Sequence, residues 1–183
     1  MGRRSPVRLF FALRFSPQDT QTIVEIQERL KTFAPSGNYP PVENLHLTLA
    51  FLGEVPSSRV QEAQDVLEAL CPVPMTLRFS QVGQFPQGDK ELWWLGADPC
   101  PELTKLQEDL TFQLERRNFS WDRKPFLPHI TLARKVSFPG KTPRQEDFSL
   151  LPVLVSCGRV SLMSSRLTSQ GAVYTEVFGK NPA

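Results

Sequence analysis

One seven-residue segment occurs twice. Asn44-Leu45-His46-Leu47-Thr48-Leu49-Ala50 aligns with Leu127-Pro128-His129-Ile130-Thr131-Leu132-Ala133, and the two copies hold both histidines of the chain. Successive residues of an extended strand face opposite ways. His46 and Thr48 therefore share one face, with Leu47 and Leu49 on the other. His129 and Thr131 stand in the same way opposite Ile130 and Leu132. Each copy reads as a half-buried strand carrying an imidazole and a hydroxyl on its polar side. Two such strands facing each other across a groove would offer two proton-transfer groups and two hydrogen-bond donors. That set suits cleavage of a phosphodiester without a metal.

The rest of the chain bounds this reading. Its 183 residues lie at the upper end of one domain or the lower end of two small ones. A chain of this length buries roughly 70% of its unfolded surface, so its core needs no disulfide or metal. The net charge of +2 does not by itself argue for nucleic acid, although it leaves room for a local basic groove. Cys71, Cys100 and Cys157 are odd in number, widely spaced and free of any CxxC. Neither a zinc site nor a disulfide framework is indicated, and reduced thiols fit a cytosolic chain.

Behind Met1-Gly2-Arg3-Arg4, the apolar run from Leu9 to Leu13 is too short for a secretory h-region and is flanked by Arg8 and Arg14. Pro6 stands where a myristoylation signal at Gly2 takes Ser or Thr. No stretch approaches the ~20 apolar residues of a membrane span. The expectation is a cytoplasmic monomer with no membrane contact.

Periodicity places the other elements. Pro6 to Phe15 reads as a buried strand, and Ser16-Pro17 as a helix cap followed by a first-turn proline. Ile23, Ile26, Leu30 and Phe33 predict a helix from Pro17 to about Thr32. The first histidine strand is expected over about Asn44 to Leu52, with a turn from Gly53 to Ser57. Val60, Ala63, Leu67 and Leu70 mark a second helix, ending near Cys71-Pro72. Met75 to Phe85 and Glu91 to Ala97 read as strands joined by the five-residue loop Pro86 to Lys90. A third helix covers about Glu102 to Arg117, and the second histidine strand about His129 to Lys135. Two strands, Val153 to Ser164 and Ala172 to Phe178, close the chain.

Hairpin-type joints among these elements favour α+β over a doubly wound parallel sheet. The repeat adds an internal duplication: two pseudo-symmetric lobes, each an antiparallel-rich sheet with helices on its outer face. Each lobe brings one histidine strand to a central cleft, and 1–183 forms a single bilobal domain.

The residue types carry the chemistry. An unperturbed imidazole titrates near ~6.5, so one can be neutral while its partner is protonated at neutral pH. The neutral ring can take a proton from water as that water attacks phosphorus, and the protonated ring can donate to the departing alkoxide. Threonine hydroxyls can donate to the non-bridging oxygens, where negative charge must be held. Two histidines without an Asp/Glu pattern fall short of a usual metal-ligand set. Glu43, Glu54 and Asp122 flank the motifs as surface carboxylates. No GxxxxGK or GxGxxG occurs, so ATP and dinucleotide cofactors have no support.

The paired HLTL and HITL, with RLFFAL, HLTLAFLGEV, ELWWLG, KPFLPHITLARK and SSRLTSQGAVYTEV around them, resemble the two-histidine phosphoesterases. Within these they resemble the bacterial and archaeal RNA 2′,3′-cyclic phosphodiesterases, also called 2′-5′ RNA ligases. The resemblance spans nearly the whole chain. It implies two pseudo-symmetric α+β lobes around a water-filled cleft and no cofactor. It also implies hydrolysis of a terminal 2′,3′-cyclic phosphate to a 2′-phosphate, with reversible 2′-5′ joining in vitro. The implied partner is an RNA end or nucleotide bearing that cyclic phosphate.

By the same resemblance His46 donates a proton to the leaving 3′ oxygen, His129 is the general base toward water, and Thr48, Thr131 and Arg134 bind phosphate. Strict alternation, however, puts Arg134 on the face of Ile130 and Leu132, so it reaches the cleft only where the strand bends or ends. Phe51 takes the equivalent place in the first copy. It is a candidate substrate-binding residue that could stack on a base, with core packing the competing account. Trp121 is another candidate base platform, and of Trp93 and Trp94 one is expected in the core and the other exposed. Two other readings stay open: a non-catalytic module that binds nucleotides or RNA ends, and a phosphodiesterase for a small cyclic nucleotide.

Overall fold

A computed structural model describes residues 5–183; the readings of Met1 to Arg4 as a signal or lipidation segment lie outside them. Seven strands and three helices follow one another as β1 (Val7–Phe15), α1 (Pro17–Lys31), β2 (Leu47–Val55), α2 (Val60–Glu68), β3 (Thr76–Gln87), β4 (Lys90–Ala97), α3 (Pro101–Arg116), β5 (His129–Val136), β6 (Val153–Thr168) and β7 (Gly171–Lys180). The strands form one antiparallel sheet in the order β1-β2-β5-β4-β3-β6-β7, and β1 also pairs with β6. It thus closes on itself, with β7 added along β6.

The sheet divides into two four-stranded halves of matched order, β2-β1-β6-β7 and β5-β4-β3-β6. Long β6 serves both: Val153 to Ser156 pair with β3, and Cys157 to Ser165 with β1. A β–α–β unit recurs as β1-α1-β2 and β4-α3-β5, each ending on a histidine strand. The fold is the α+β arrangement that the hairpin-type joints implied.

Sequence chemistry explains the elements. The Ser16 hydroxyl accepts from the Asp19 N–H at 3.1 Å, capping α1 ahead of Pro17. Ile23, Ile26 and Leu30 turn one face of α1 into the core, as Ala63, Val66 and Leu67 do for α2 and Leu103, Leu106, Leu110 and Leu114 for α3. They meet Leu9, Phe11 and Leu13 of β1 and the strand residues Leu47, Leu49, Ile130 and Leu132. Each such side chain gains about 1.5–3 kcal/mol on leaving water. A one-residue slip of either histidine strand would exchange these leucines for imidazole and hydroxyl, so the phase of both strands is strongly fixed. Among the described residues, no helix is long and apolar enough to cross a membrane.

Several boundaries depart from the periodicity: β6 runs on to Thr168 and β7 to Lys180. β2 begins at Leu47, because Val42–Asn44 forms a short 3₁₀ turn that ends with Leu45 bonded back to Val42. It runs on to Val55 because Gly53, at φ 70°, absorbs a bulge. Between β3 and β4 the expected five-residue loop shrinks to Gly88-Asp89. Pro86 pairs with Glu91 and Gln87 with Lys90, and Gly88 supplies the positive φ at the first turn position.

Candidate active site

The two histidine strands meet at one antiparallel pair, Leu47 opposite Ile130. Continuing that register by one residue in each direction sets His46 beside Thr131 and Thr48 beside His129. All four lie on the face opposite the buried Leu47 and Ile130. The histidines then stand on one diagonal and the threonines on the other, a spacing of about 7–8 Å between backbones. A cleft of about 710 Å³ opens on this face, and His46, Thr48, Phe51, Thr131 and Arg134 all line it. His129 is half-buried outside that lining, edge-on to Phe85 with ring centres 5.7 Å apart.

Each imidazole is oriented in the same way. His46 Nδ1 lies 2.6 Å from the Asn44 carbonyl oxygen, and His129 Nδ1 lies 2.6 Å from the Leu127 carbonyl oxygen. A carbonyl only accepts, so Nδ1 carries the hydrogen in both rings, and each Nε2 is the atom left to gain or lose a proton. His46 Nε2 stands 3.1 Å from the Thr48 hydroxyl. Aromatic rings frame each imidazole: Phe10 and Tyr174 at 5.1 and 5.4 Å from Phe10 to His46 and from Tyr174 to His46, and Phe85 and Trp94 against His129.

Burial pushes the His46 pKa below the ordinary 6.5. The hydrogen bond to Asn44 opposes this, and the positive charges of Arg134 and Arg14 push it further down. In the empty cleft His46 is expected to titrate below 6.5 by NMR. An anion beside it should raise that midpoint, and Arg134→Gln should also raise it by removing a cation.

Matched bulges bring Phe51 and Arg134 to the cleft. Ala12 pairs with Thr48 and Phe11 with Ala50, so Leu49 is the extra residue in β2. Trp94 pairs with Thr131 and Trp93 with Ala133, so Leu132 is the extra residue in β5. In each copy two consecutive residues, Leu-Ala, face the core, and the next one returns to the face of the threonine. Strict alternation for Arg134 is thereby corrected. Its backbone is pinned by two 2.8 Å bonds exchanged with Asn38, and Lys135 after it takes φ 52°. Phe51 packs not in the main core but in a small cluster with Phe10, Ala12, Met163 and Tyr174 on the cleft side.

The other aromatic candidates separate. Trp93 is buried and donates to Glu91 at 2.8 Å, while Trp94 is the half-exposed one, beside His129. Trp121 is not among the cleft residues. It rests on the core beneath Arg123, whose guanidinium lies 4.0 Å from its ring centre. Periodicity passed over Phe10, Tyr174 and Phe85, which share no motif. The signal for the bulges was present: Leu-Ala follows His-x-Thr in both copies. Among the described residues, no group of three or more His, Cys, Asp or Glu could hold a metal ion.

The model of the 2′-5′ RNA ligase superfamily matches residues 12–168. A Thermotoga maritima protein named RNA 2′,3′-cyclic phosphodiesterase is 31% identical over 179 residues, covering 94% of each chain. An Escherichia coli protein of the same name is 37% identical over 135 residues, covering 72% of this chain and 74% of its own. The crystal structure of E. coli LigT in apo form superposes with a TM-score of 0.79 at 28% identity, over 98% of this chain and 99% of that one. LigT complexed with 3′-AMP superposes at 0.78, with 28% identity over 97% and 98% of the two chains. The relatives matched over most of their length are enzymes, and the chain belongs to the 2′-5′ RNA ligase superfamily.

Proposed function

We propose that the chain hydrolyses the 2′,3′-cyclic phosphate at an RNA end to a 2′-phosphate, without a metal, by paired histidine acid–base catalysis. The observation that carries this reading is the doubled arrangement at the Leu47–Ile130 pair: two imidazoles anchored through Nδ1, leaving Nε2 for proton transfer, each with a threonine beside it. The names of the relatives and the nucleotide bound by LigT support it.

In this mechanism His129 Nε2 takes a proton from water as the water oxygen bonds to phosphorus. The P–O3′ bond breaks, and His46 Nε2–H protonates the departing O3′. Thr48, Thr131 and Arg134 hold the non-bridging oxygens. The depressed pKa of His46 makes its imidazolium the stronger acid but leaves less of it in the empty cleft. The incoming phosphate anion offsets the surrounding positive charge and loads that proton. A 2′-5′ joint forms by the same route with the 5′-hydroxyl of a second RNA end in place of water: His129 takes its proton as O5′ bonds to phosphorus, the P–O3′ bond breaks, and His46 protonates O3′.

The same reading takes 1–183 as one bilobal domain formed by internal duplication, supported by the matched β–α–β units and the bulge shared by both copies. A 2′,3′-cyclic mononucleotide incubated with the chain in EDTA tests the reaction. The expected result is full turnover to the 2′-phosphate and a bell-shaped pH profile. No turnover, a 3′-phosphate product or loss of activity with the chelator would contradict it.

A further inference from the structure

Resting on the cyclic phosphodiesterase reading, we propose that Arg8, set over Phe51, forms a second phosphate subsite that takes the phosphate on the 5′ side of the terminal nucleotide. The preferred substrate class is then an RNA end or a 5′-phosphorylated nucleotide, rather than a bare nucleoside cyclic phosphate.

The placement follows from the register. Along β1 the cleft face carries Ala12, Phe10 and Arg8 at alternate positions, paired with Thr48, Phe51 and Glu54 of β2. Each step of two residues is about 7 Å of strand. Phe51 therefore lies one step from Thr48, and the Arg8 guanidinium, 4.8 Å from the centre of the Phe51 ring, stands above it. A ribose spans a gap of that order between the phosphates on its 3′ and 5′ oxygens. Arg134 lies beyond His46, toward the opposite end of the same cleft.

The charge balance also asks for a second anion. Glu54 is the cross-strand neighbour of Arg8, yet among the described residues no ion pair or side-chain hydrogen bond joins them. Instead the guanidinium turns onto Phe51 and keeps its in-plane donors for another partner. The lining carboxylate, Glu43, belongs to the turn before His46 and so stands at the Arg134 end. A cyclic phosphate alone brings one negative charge, which the threonines and Arg134 already meet. An RNA end brings the next phosphate one ribose further on, where Arg8 is.

Steady-state kinetics on adenosine 2′,3′-cyclic phosphate, with and without a 5′-phosphate, tests this. In the unmodified chain the 5′-phosphate should raise kcat/KM roughly tenfold, chiefly through KM. In Arg8→Gln the ratio between the two compounds should fall toward one, and Arg8→Lys should retain part of it. Because each ratio is internal to one variant, a general loss of folded protein does not move it. Equal kcat/KM for the two compounds in the unmodified chain, or an unchanged ratio in Arg8→Gln, would overturn the subsite while leaving the activity standing. No turnover of either compound would instead overturn the phosphodiesterase reading, and the subsite with it.

Discussion

Replacing either His46 or His129 with Ala is expected to lower kcat by about 10²–10⁴-fold while nucleotide binding changes little. The two rings flank one strand pair, and in the proposed mechanism they serve one displacement. The double replacement should therefore cost far less than the product of the two single effects. Leaving-group chemistry separates their roles. With sulfur in place of the 3′ bridging oxygen, the departing thiolate needs no proton. His46→Ala should then recover most of its lost rate, whereas His129→Ala should not. Recovery by the opposite variant would exchange acid and base. Thr48→Val is expected to act more weakly, since it removes one hydroxyl and leaves the imidazoles anchored by Asn44 and Leu127.

Arg134→Ala carries the second large effect, a fall in kcat/KM of roughly 10²–10³-fold. Its backbone N–H and carbonyl are both bonded to Asn38, so the side chain enters the cleft from a fixed point. Lysine keeps the charge but loses the planar fork, so Arg134→Lys should restore only part of the activity. The same substitutions separate two roles. If Arg134 holds phosphate, Arg134→Ala weakens the binding of a 2′-nucleotide as well as turnover. If it acts only by depressing the His46 pKa, Arg134→Ala moves the pH profile and leaves binding unchanged. The account predicts the first outcome together with a rise in the His46 midpoint.

Much of this site is legible in the sequence because it depends on a period of two. His46, Thr48 and Thr131 line the cleft, and His129 lies on the same side of its strand just outside that lining, for the same reason that Leu47 and Ile130 face the core. The repeated segment was equally readable, and each copy ends a β–α–β unit, β1-α1-β2 and β4-α3-β5. Arg134 and Phe51 show where that rule ends. Strict alternation sends both to the core, and one extra residue in each strand, Leu49 and Leu132, reverses the outcome. A bulge changes the phase without changing residue types, so periodicity alone does not reveal it. Only the comparison of the two copies, with Leu-Ala after each threonine, carried the information.

The aromatic frame lay further from reach. Phe10 and Tyr174 come from β1 and β7 and meet His46 through the pairing of β1 with both β2 and β6, while Phe85 comes from β3 and meets His129 across β4. Trp121, next to the second motif in sequence, went instead to the core beneath Arg123. Chain proximity was a poor guide there, and sheet order was the better one.

A crystal structure of the chain with a 2′-phosphorylated nucleotide bound measures the central claim directly: one phosphate held between His46 and His129. The account predicts both Nε2 atoms within hydrogen-bond reach of that phosphate or its neighbouring 3′ hydroxyl, with Arg134 on its outer oxygens. A phosphate touching a single imidazole, or bound outside the cleft that Thr48 and Thr131 line, would contradict it.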